Sequence, residues 1–149
     1  MGAFLPISNL TAWKPMSAAE QFFDTNILLY LLSADETKAD RSEEALSAGG
    51  IVSVQVLNEF ASVASRKLKM SFAEIREALA GIRAVCKVVP ISEQTHDLGL
   101  QVAERYGLSV YDAMIVAAAL LAGCKTLLSE DMQNGQTIDG RLELRNPFR

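Results

Sequence analysis

The sequence is short of the residues that build most soft-metal and redox sites. Its 149 residues include one histidine, His96, and two cysteines, Cys86 and Cys124. A single histidine excludes a metal site with several imidazole ligands, and the cysteines are far apart without forming a CxxC pair. We therefore expect buried, reduced thiols in a cytoplasmic protein. His96 is predicted to be a surface or packed residue of a helix rather than a catalytic base.

Long apolar runs and a signal sequence are also missing. The longest apolar run, 113–122, is shorter than the roughly 18 residues that a membrane span needs. The first twenty residues lack the basic segment and apolar core of a signal peptide. They show no clear periodicity, so we expect a poorly ordered N-terminal extension over 1–20, with Met16 as an alternative start to Met1. Residues 21–149 are then expected to form one domain.

The chain carries an excess of acidic residues, with 18 acidic and 14 basic side chains and a net charge of −4. Such a charge disfavours binding to the phosphates of a nucleic acid. However, the four acidic residues discussed below account for the whole excess. If those four hold metal ions, the remaining surface is neutral, so net charge does not exclude a nucleic-acid partner.

Apolar runs typical of strands alternate with helical patterns along the whole chain. Half of the residues are hydrophobic and 21% are charged, which indicates a globular domain. The alternation predicts a mostly parallel sheet covered by helices on both faces. Strands are predicted at 21–24, 51–53, 85–91, 125–128 and 142–144, and helices at 27–32, 36–48, 54–67, 72–84, 93–106 and 109–122.

Four acidic residues occupy positions from which they can converge. Asp24 and Asp131 follow predicted strands, and ligands gather at the carboxyl ends of the strands in sheets of this kind. Asp112 lies in the first turn of an apolar helix, and Glu59 lies at the edge of an apolar stripe. Each also has a simple structural explanation, as a helix cap, a rim residue or a turn residue. Glu130 competes with its neighbour Asp131 for any role.

Clustered carboxylates repel one another unless a cation compensates their charge. Ligands that offer only oxygen suit Mg²⁺ or Mn²⁺, which can activate a water against a phosphodiester. Amides at the helix starts after Asp24 and Ser109 would help to bind phosphate oxygens. Arg66, Lys67 and Lys69 could guide RNA phosphates, although a solvent-exposed helix end is the simpler explanation.

Four short segments resemble the motifs of PIN-domain ribonucleases, and more narrowly those of VapC-type toxins of bacterial type II toxin–antitoxin pairs. In chain order these segments are FFDTNIL (22–28), VLNEF (56–60), SVYDAMI (109–115) and LLSEDM (127–132). Their order and flanking residues are those of the family, and the similarity runs from about residue 21 to residue 149.

The resemblance implies a three-layer α/β/α domain with a mostly parallel central sheet. It also implies an endoribonuclease that cleaves single-stranded RNA with a water activated by Mg²⁺, with Mn²⁺ as the alternative ion. The implied partners are the RNA substrate, a second copy of the chain and a small antitoxin protein that blocks the site. The residues implied to be catalytic and to bind the metal are Asp24, Glu59, Asp112 and Asp131, with Asn26 and Ser129 supporting them by hydrogen bonds.

Two other functions are compatible with the same motifs. The chain could be a catalytically silent PIN-like scaffold that binds RNA or a partner protein. It could also be a phosphatase of the haloacid dehalogenase type, in which a nucleophilic Asp follows an apolar strand. That class requires Asp-x-Asp, whereas this sequence has Asn26 two residues after Asp24.

Overall fold

A computed structural model describes residues 20–149, so the predicted N-terminal extension, apart from Glu20, lies outside the described residues. Strands and helices alternate through most of this range. In chain order the elements are β1 (Gln21–Phe23), α1 (Thr25–Leu29), a 3-10 turn (Tyr30–Leu32), α2 (Glu36–Ser47), β2 (Gly50–Ser53), α3 (Val54–Arg66), α4 (Phe72–Val85), β3 (Cys86–Val89), α5 (Glu93–Tyr106), α6 (Val110–Leu121), β4 (Thr126–Leu128), β5 (Thr137–Ile138) and β6 (Leu142–Arg145).

The six strands form one sheet in the order β3-β2-β1-β4-β6-β5. The first five strands of that order are parallel, and β5 is antiparallel to β6. With six helices around it, the sheet has the predicted three-layer α/β/α arrangement. Strand β5 lies in a stretch whose sequence predicts a polar loop, so this prediction is wrong for Thr137 and Ile138. A strand of two residues is too short to show the alternation by which strands are recognised.

The core lies around β1, β4 and α6. Phe22, Phe23 and Leu127 are completely buried, and every residue of α6 from Ala113 to Leu120 is buried as well. The prediction that this helix lies in the middle of the fold is therefore confirmed. Because β1 has neighbours on both sides, the residue that follows it emerges near the centre of the carboxyl edge.

Polar caps fix where the helices begin. Ser53 caps α3 and Ser109 caps α6, each accepting a hydrogen bond from a backbone N–H of the first turn. The predicted capping box of Ser71 and Glu74 is present at the start of α4, and Ser92 caps α5 as expected. Since α3 starts directly after β2, its first turns lie at the carboxyl edge of the sheet.

Both cysteines are buried free thiols, as predicted. Burial raises the pKa of the Cys86 thiol to about 12 and that of Cys124 to about 11, so neither forms a reactive thiolate at neutral pH. None of the helices within residues 20–149 has the length and apolar character needed to cross a membrane.

The close approach of β1 and β2 depends on Gly50. A Cβ atom at this position would lie 2.9 Å from the Gln21 carbonyl oxygen and 2.9 Å from Cζ of Phe23. We expect Gly50→Ala to lower the free energy of unfolding by about 1–3 kcal/mol through overpacking, measured by urea denaturation. In a Phe23→Leu background the loss should be smaller, because part of the obstructing ring is gone. An equal or larger loss there would contradict this explanation.

Candidate active site at the carboxyl edge of the sheet

Asp24 is the most firmly held of the four acidic residues. Its backbone N–H donates to the Leu128 carbonyl (2.9 Å), which continues the pairing of β1 with β4 beyond the strand. One side-chain oxygen accepts from the Thr25 N–H and the other from the Ser129 hydroxyl, both at 2.7 Å. Only 4% of the residue is exposed. Asp24 is thus the helix cap that its position suggested, and hydrogen bonds hold both oxygens of its side chain.

The carboxylates of Asp24, Asp112 and Asp131 are close enough to affect one another. Burial raises the pKa of Asp24 to about 6, with smaller contributions in the same direction from Asp112 and Asp131, while hydrogen bonds from Ser129 and Thr25 oppose the shift. Burial also raises the pKa of Asp112, and the charge of Asp131 adds to that effect. This edge therefore concentrates negative charge, and at the buried Asp24 solvent screens that charge poorly.

Asp131 and Glu130 point to different parts of the structure. The Asp131 carboxylate accepts a hydrogen bond from the side-chain amide of Asn26 in α1. Glu130 accepts instead from the Tyr30 hydroxyl and forms an ion pair with Lys38 (2.9 Å). The structure thus places Asp131 beside the other acids, while Glu130 is bound to α2 and the 3-10 turn.

Further contacts hold the loop that carries these two residues. The Lys38 ammonium lies 4.4 Å from the centre of the Tyr30 ring, and Phe148 packs edge-on against that ring at 5.0 Å. From the other side, the Ser129 hydroxyl accepts from the Asp131 N–H at 3.3 Å. Because the loop is held from both sides, Asp131 has a defined position relative to Asp24.

Glu59 is attached to the cluster through hydrogen bonds. Its Oε1 accepts from the Thr25 hydroxyl and from the Gln55 side-chain amide, each at 3.2 Å. Gln55 also donates to the Tyr111 carbonyl (3.0 Å), so it links α3 to the first turn of α6. Thr25 contacts both Asp24 and Glu59 and therefore sets their relative positions. The structure brings three acids into mutual electrostatic contact and joins Glu59 to them through Thr25.

Several supporting residues are not among those that the sequence predicts. Gln55 lies one helical turn before Glu59, and this i,i+4 spacing is a signal that could have identified it. Thr25 belongs to the first motif but was given no role. Tyr30 and Lys38 reach Glu130 from 100 and 92 residues away in sequence, and no local pattern predicts such contacts.

The donor chemistry of this edge suits a hydrated hard cation. Among residues 20–149, no three His, Cys, Asp or Glu side chains are arranged to enclose a metal ion by themselves. Magnesium does not need such a cage, because it keeps several waters and binds through one or two carboxylates. Burial is the main reason that the pKa values of Asp24 and Asp112 are raised, and the neighbouring carboxylates add to it, so a nearby cation would favour their ionised forms. The residues therefore fit a Mg²⁺ ion bound partly through water.

Comparison with known proteins identifies the motif-bearing region and the fold. The sequence model of the PIN domain family matches residues 22–133. A search of curated proteins finds no significant match. Among solved structures, a toxin–antitoxin complex from Klebsiella pneumoniae aligns with a TM-score of 0.66 and 21% identity, over 86% of this chain and 98% of that one.

Two further structures show the same fold. VapBC2 from Rickettsia felis, bound to a DNA fragment from its promoter, has a TM-score of 0.61 and 19% identity, over 85% of this chain and 97% of the other. Mycobacterium tuberculosis VapC20, a sarcin-ricin loop cleaving toxin, has a TM-score of 0.55 and 20% identity, over 72% and 87%. At these identities the likeness is one of fold.

The raised pKa of Asp24 has a consequence for stability without metal. Between about pH 4 and 6 the folded chain holds a proton on Asp24 that the unfolded chain has released, so the free energy of unfolding falls as pH rises through this window. In EDTA at pH 7.5, we expect Asp24→Asn to be more stable than the wild type by about 1–3 kcal/mol, with a flatter pH profile in urea denaturation. Asp97→Asn, on the exposed surface, is the matched control. A less stable Asp24→Asn would contradict the expectation.

The two neighbouring acids of the loop should respond differently to the same change. Glu130→Gln removes the ion pair with Lys38 and weakens the bond from Tyr30, so it should lower the urea midpoint of the metal-free protein. Asp131→Asn removes a charge that repels Asp24 and Asp112 and should leave the midpoint unchanged or raise it. The opposite order of midpoints would show that the two carboxylates have been assigned to the wrong surroundings.

Proposed function

The chain belongs to the PIN domain family, and from that premise we propose that it is a Mg²⁺-dependent endoribonuclease, the toxin of a VapC-type toxin–antitoxin pair. The observation that carries the proposal is the meeting of Asp24, Asp112 and Asp131 at one edge of the sheet, each within electrostatic reach of another. Glu59 joins them through Thr25. Oxygen ligands without histidine or cysteine suit the metal that phosphodiester hydrolysis uses.

In this proposal Asp24, Glu59 and Asp112 hold the metal, and Asp131 joins them directly or through water. The bound ion supplies an activated water and charge compensation at the phosphate. The chain positions these ligands: Ser129 and the Thr25 amide fix both oxygens of Asp24 and favour its ionised form. The positive end of α6 lies at Asp112 and favours the approach of a phosphate.

The proposed partners follow from the motifs and are supported by the structural neighbours. The Klebsiella structure is a toxin–antitoxin complex, and VapC20 cleaves the sarcin-ricin loop. We propose that this chain likewise acts on RNA, pairs with an antitoxin that covers its acidic site, forms a homodimer and works in the cytoplasm. Its identity to these neighbours is low, so the four motifs carry this part of the proposal.

A catalytically silent scaffold is the second candidate. It is favoured by the absence of a ready-made cluster of metal ligands among residues 20–149. A phosphatase of the haloacid dehalogenase type is less well supported, because Asn26 replaces the second Asp of that motif and its amide is bonded to Asp131. Two observations distinguish the three functions: whether the protein binds Mg²⁺, and whether Asp24 becomes phosphorylated.

Purified protein freed of any antitoxin should cleave single-stranded RNA with Mg²⁺ and stop when EDTA is added. Asp24→Asn should reduce the cleavage rate at least ~100-fold, because it removes a metal ligand, while its circular dichroism spectrum stays that of a folded protein. Asp97→Asn makes the same chemical change at an exposed position and should cleave normally. Undiminished cleavage by Asp24→Asn would refute the assignment.

Metal binding can be measured independently of activity. Mg²⁺ should raise the unfolding temperature of the wild type but not of Asp24→Asn, and the effect should be larger at pH 7.5 than at pH 5, where protons compete for Asp24. A wild type that neither responds to Mg²⁺ nor cleaves RNA would favour the scaffold. A phosphoryl group trapped on Asp24 would favour the phosphatase.

A further inference from the structure

An open groove lies beside the acidic cluster, between α3 and α6. It has a volume of about 820 Å³ and is bordered by the loop that follows β3. Small-molecule sites typically enclose about 300–1,000 Å³, so the groove has room for a nucleotide. Glu59 forms part of its wall, which makes the groove continuous with the proposed active site.

One wall of the groove is apolar yet exposed. Tyr111 is 72% exposed, Val110 is 48% exposed and Ile91 is 44% exposed. Tyr111 immediately precedes Asp112, and Gln55 joins its carbonyl to Glu59. An exposed aromatic ring, on a backbone held beside the proposed metal site, is a surface on which an unpaired base can stack.

The rest of the groove offers polar groups and, at one end, a cation. Asn58, Ser62 and His96 supply donors and acceptors for the edge of a base. The Arg66 guanidinium donates at 3.1 Å to the hydroxyl of Ser62, which lines the groove, so its charge lies close to the groove although Arg66 itself does not line it. Arg66 follows Glu59 by seven positions in the helix, about 10 Å along the axis. The groove therefore runs from a proposed metal site to a positive charge.

We propose that this groove binds an unpaired nucleotide next to the scissile phosphate of an RNA strand. The base stacks on Tyr111, a neighbouring phosphate pairs with Arg66, and the scissile phosphate lies at the carboxylates. This inference rests on the proposed function and adds its substrate class, RNA with an unstacked base at the cleavage site. Arg66 thus acquires a role beyond that of a solvent-exposed helix end.

A nucleotide suits this groove better than a permanently bound protein. A protein seated against Tyr111 and Met114 would also cover Glu59, which lines the same cavity, and would close the site to substrate. A nucleotide brings its own phosphate to Glu59 and uses the positive charge of Arg66 at the other end. The apolar wall suits the stacking face of a base, and the polar groups suit its hydrogen-bonding edge.

The stacking contact can be measured with a short single-stranded oligoribonucleotide that carries one 2-aminopurine. Ca²⁺ replaces Mg²⁺ during the measurement, and a gel checks that the strand stays intact. The wild type should quench 2-aminopurine fluorescence on binding. Tyr111→Ala should weaken binding roughly 5- to 100-fold, whereas Tyr111→Phe keeps the ring and should bind like the wild type. Phe72→Ala removes an aromatic residue that is 66% exposed and does not line the groove, so it serves as the matched control.

The phosphate contact has a separate signature in the salt dependence of binding. Arg66→Gln should lower the slope of log Kd against log salt by roughly 0.7, the value of one phosphate contact to a single strand. Arg83→Gln makes the same change in the last turn of α4 and should leave the slope nearly unaltered. Equal slopes for the two variants would show that Arg66 does not pair with a phosphate of the bound strand.

The outcomes separate this inference from the proposed function. If Tyr111→Ala cleaves RNA with Mg²⁺ as fast as the wild type and quenches 2-aminopurine equally, the nucleotide-binding role of the groove is overturned. The proposed ribonuclease activity is then retained. If the wild type quenches 2-aminopurine, Tyr111→Ala does not, and neither cleaves RNA, nucleotide binding by the groove is retained. The proposed ribonuclease activity is then overturned. A lower mass of Tyr111→Ala in light scattering, with unchanged oligonucleotide affinity, would show that the groove is a protein interface and overturn the inference.

Discussion

The pairing of β1 with β4 is the constraint on which the candidate site depends. Phe22 and Phe23 lie opposite Leu127 and Leu128, and all four side chains are buried, so the register cannot slip without exposing or overpacking the core. That register brings the residue after β1 beside the loop after β4. The hydrogen bond from Ser129 to Asp24 is its direct result, although 105 residues separate the two in sequence.

This geometry creates an electrostatic imbalance that a proton or a bound cation relieves. Burial and like charge raise the pKa of Asp24 and Asp112, while hydrogen bonds from Ser129, Thr25 and Ser109 favour the ionised forms. The bonds fix the carboxylates in position without supplying a full compensating charge. Asp24 therefore has a structural role as the cap of α1, and the proposed function gives it a second role as a metal ligand.

The same edge shows how a fold assigns different roles to adjacent residues. Glu130 is held by Tyr30 and Lys38, and Asp131 turns to Asn26. Their side chains are chemically alike, and the contacts of the loop decide which one faces the cluster. Gln55 has a similar function on the opposite side, because it ties Glu59 to the turn that carries Asp112 and so joins the groove to the acids.

The sequence by itself determined the alternation of strands and helices, the helix caps, the buried α6 and the four acids as candidates. These features depend on spacing and capping within a few residues, which local patterns record. Only the tertiary structure showed that Asp131 lies nearer the other acids than Glu130 does, revealed β5, and showed Thr25 as the bridge between Asp24 and Glu59. The groove, too, emerged only from the fold. Such features join residues tens of positions apart, and strand order and packing, rather than local pattern, determine which of them meet.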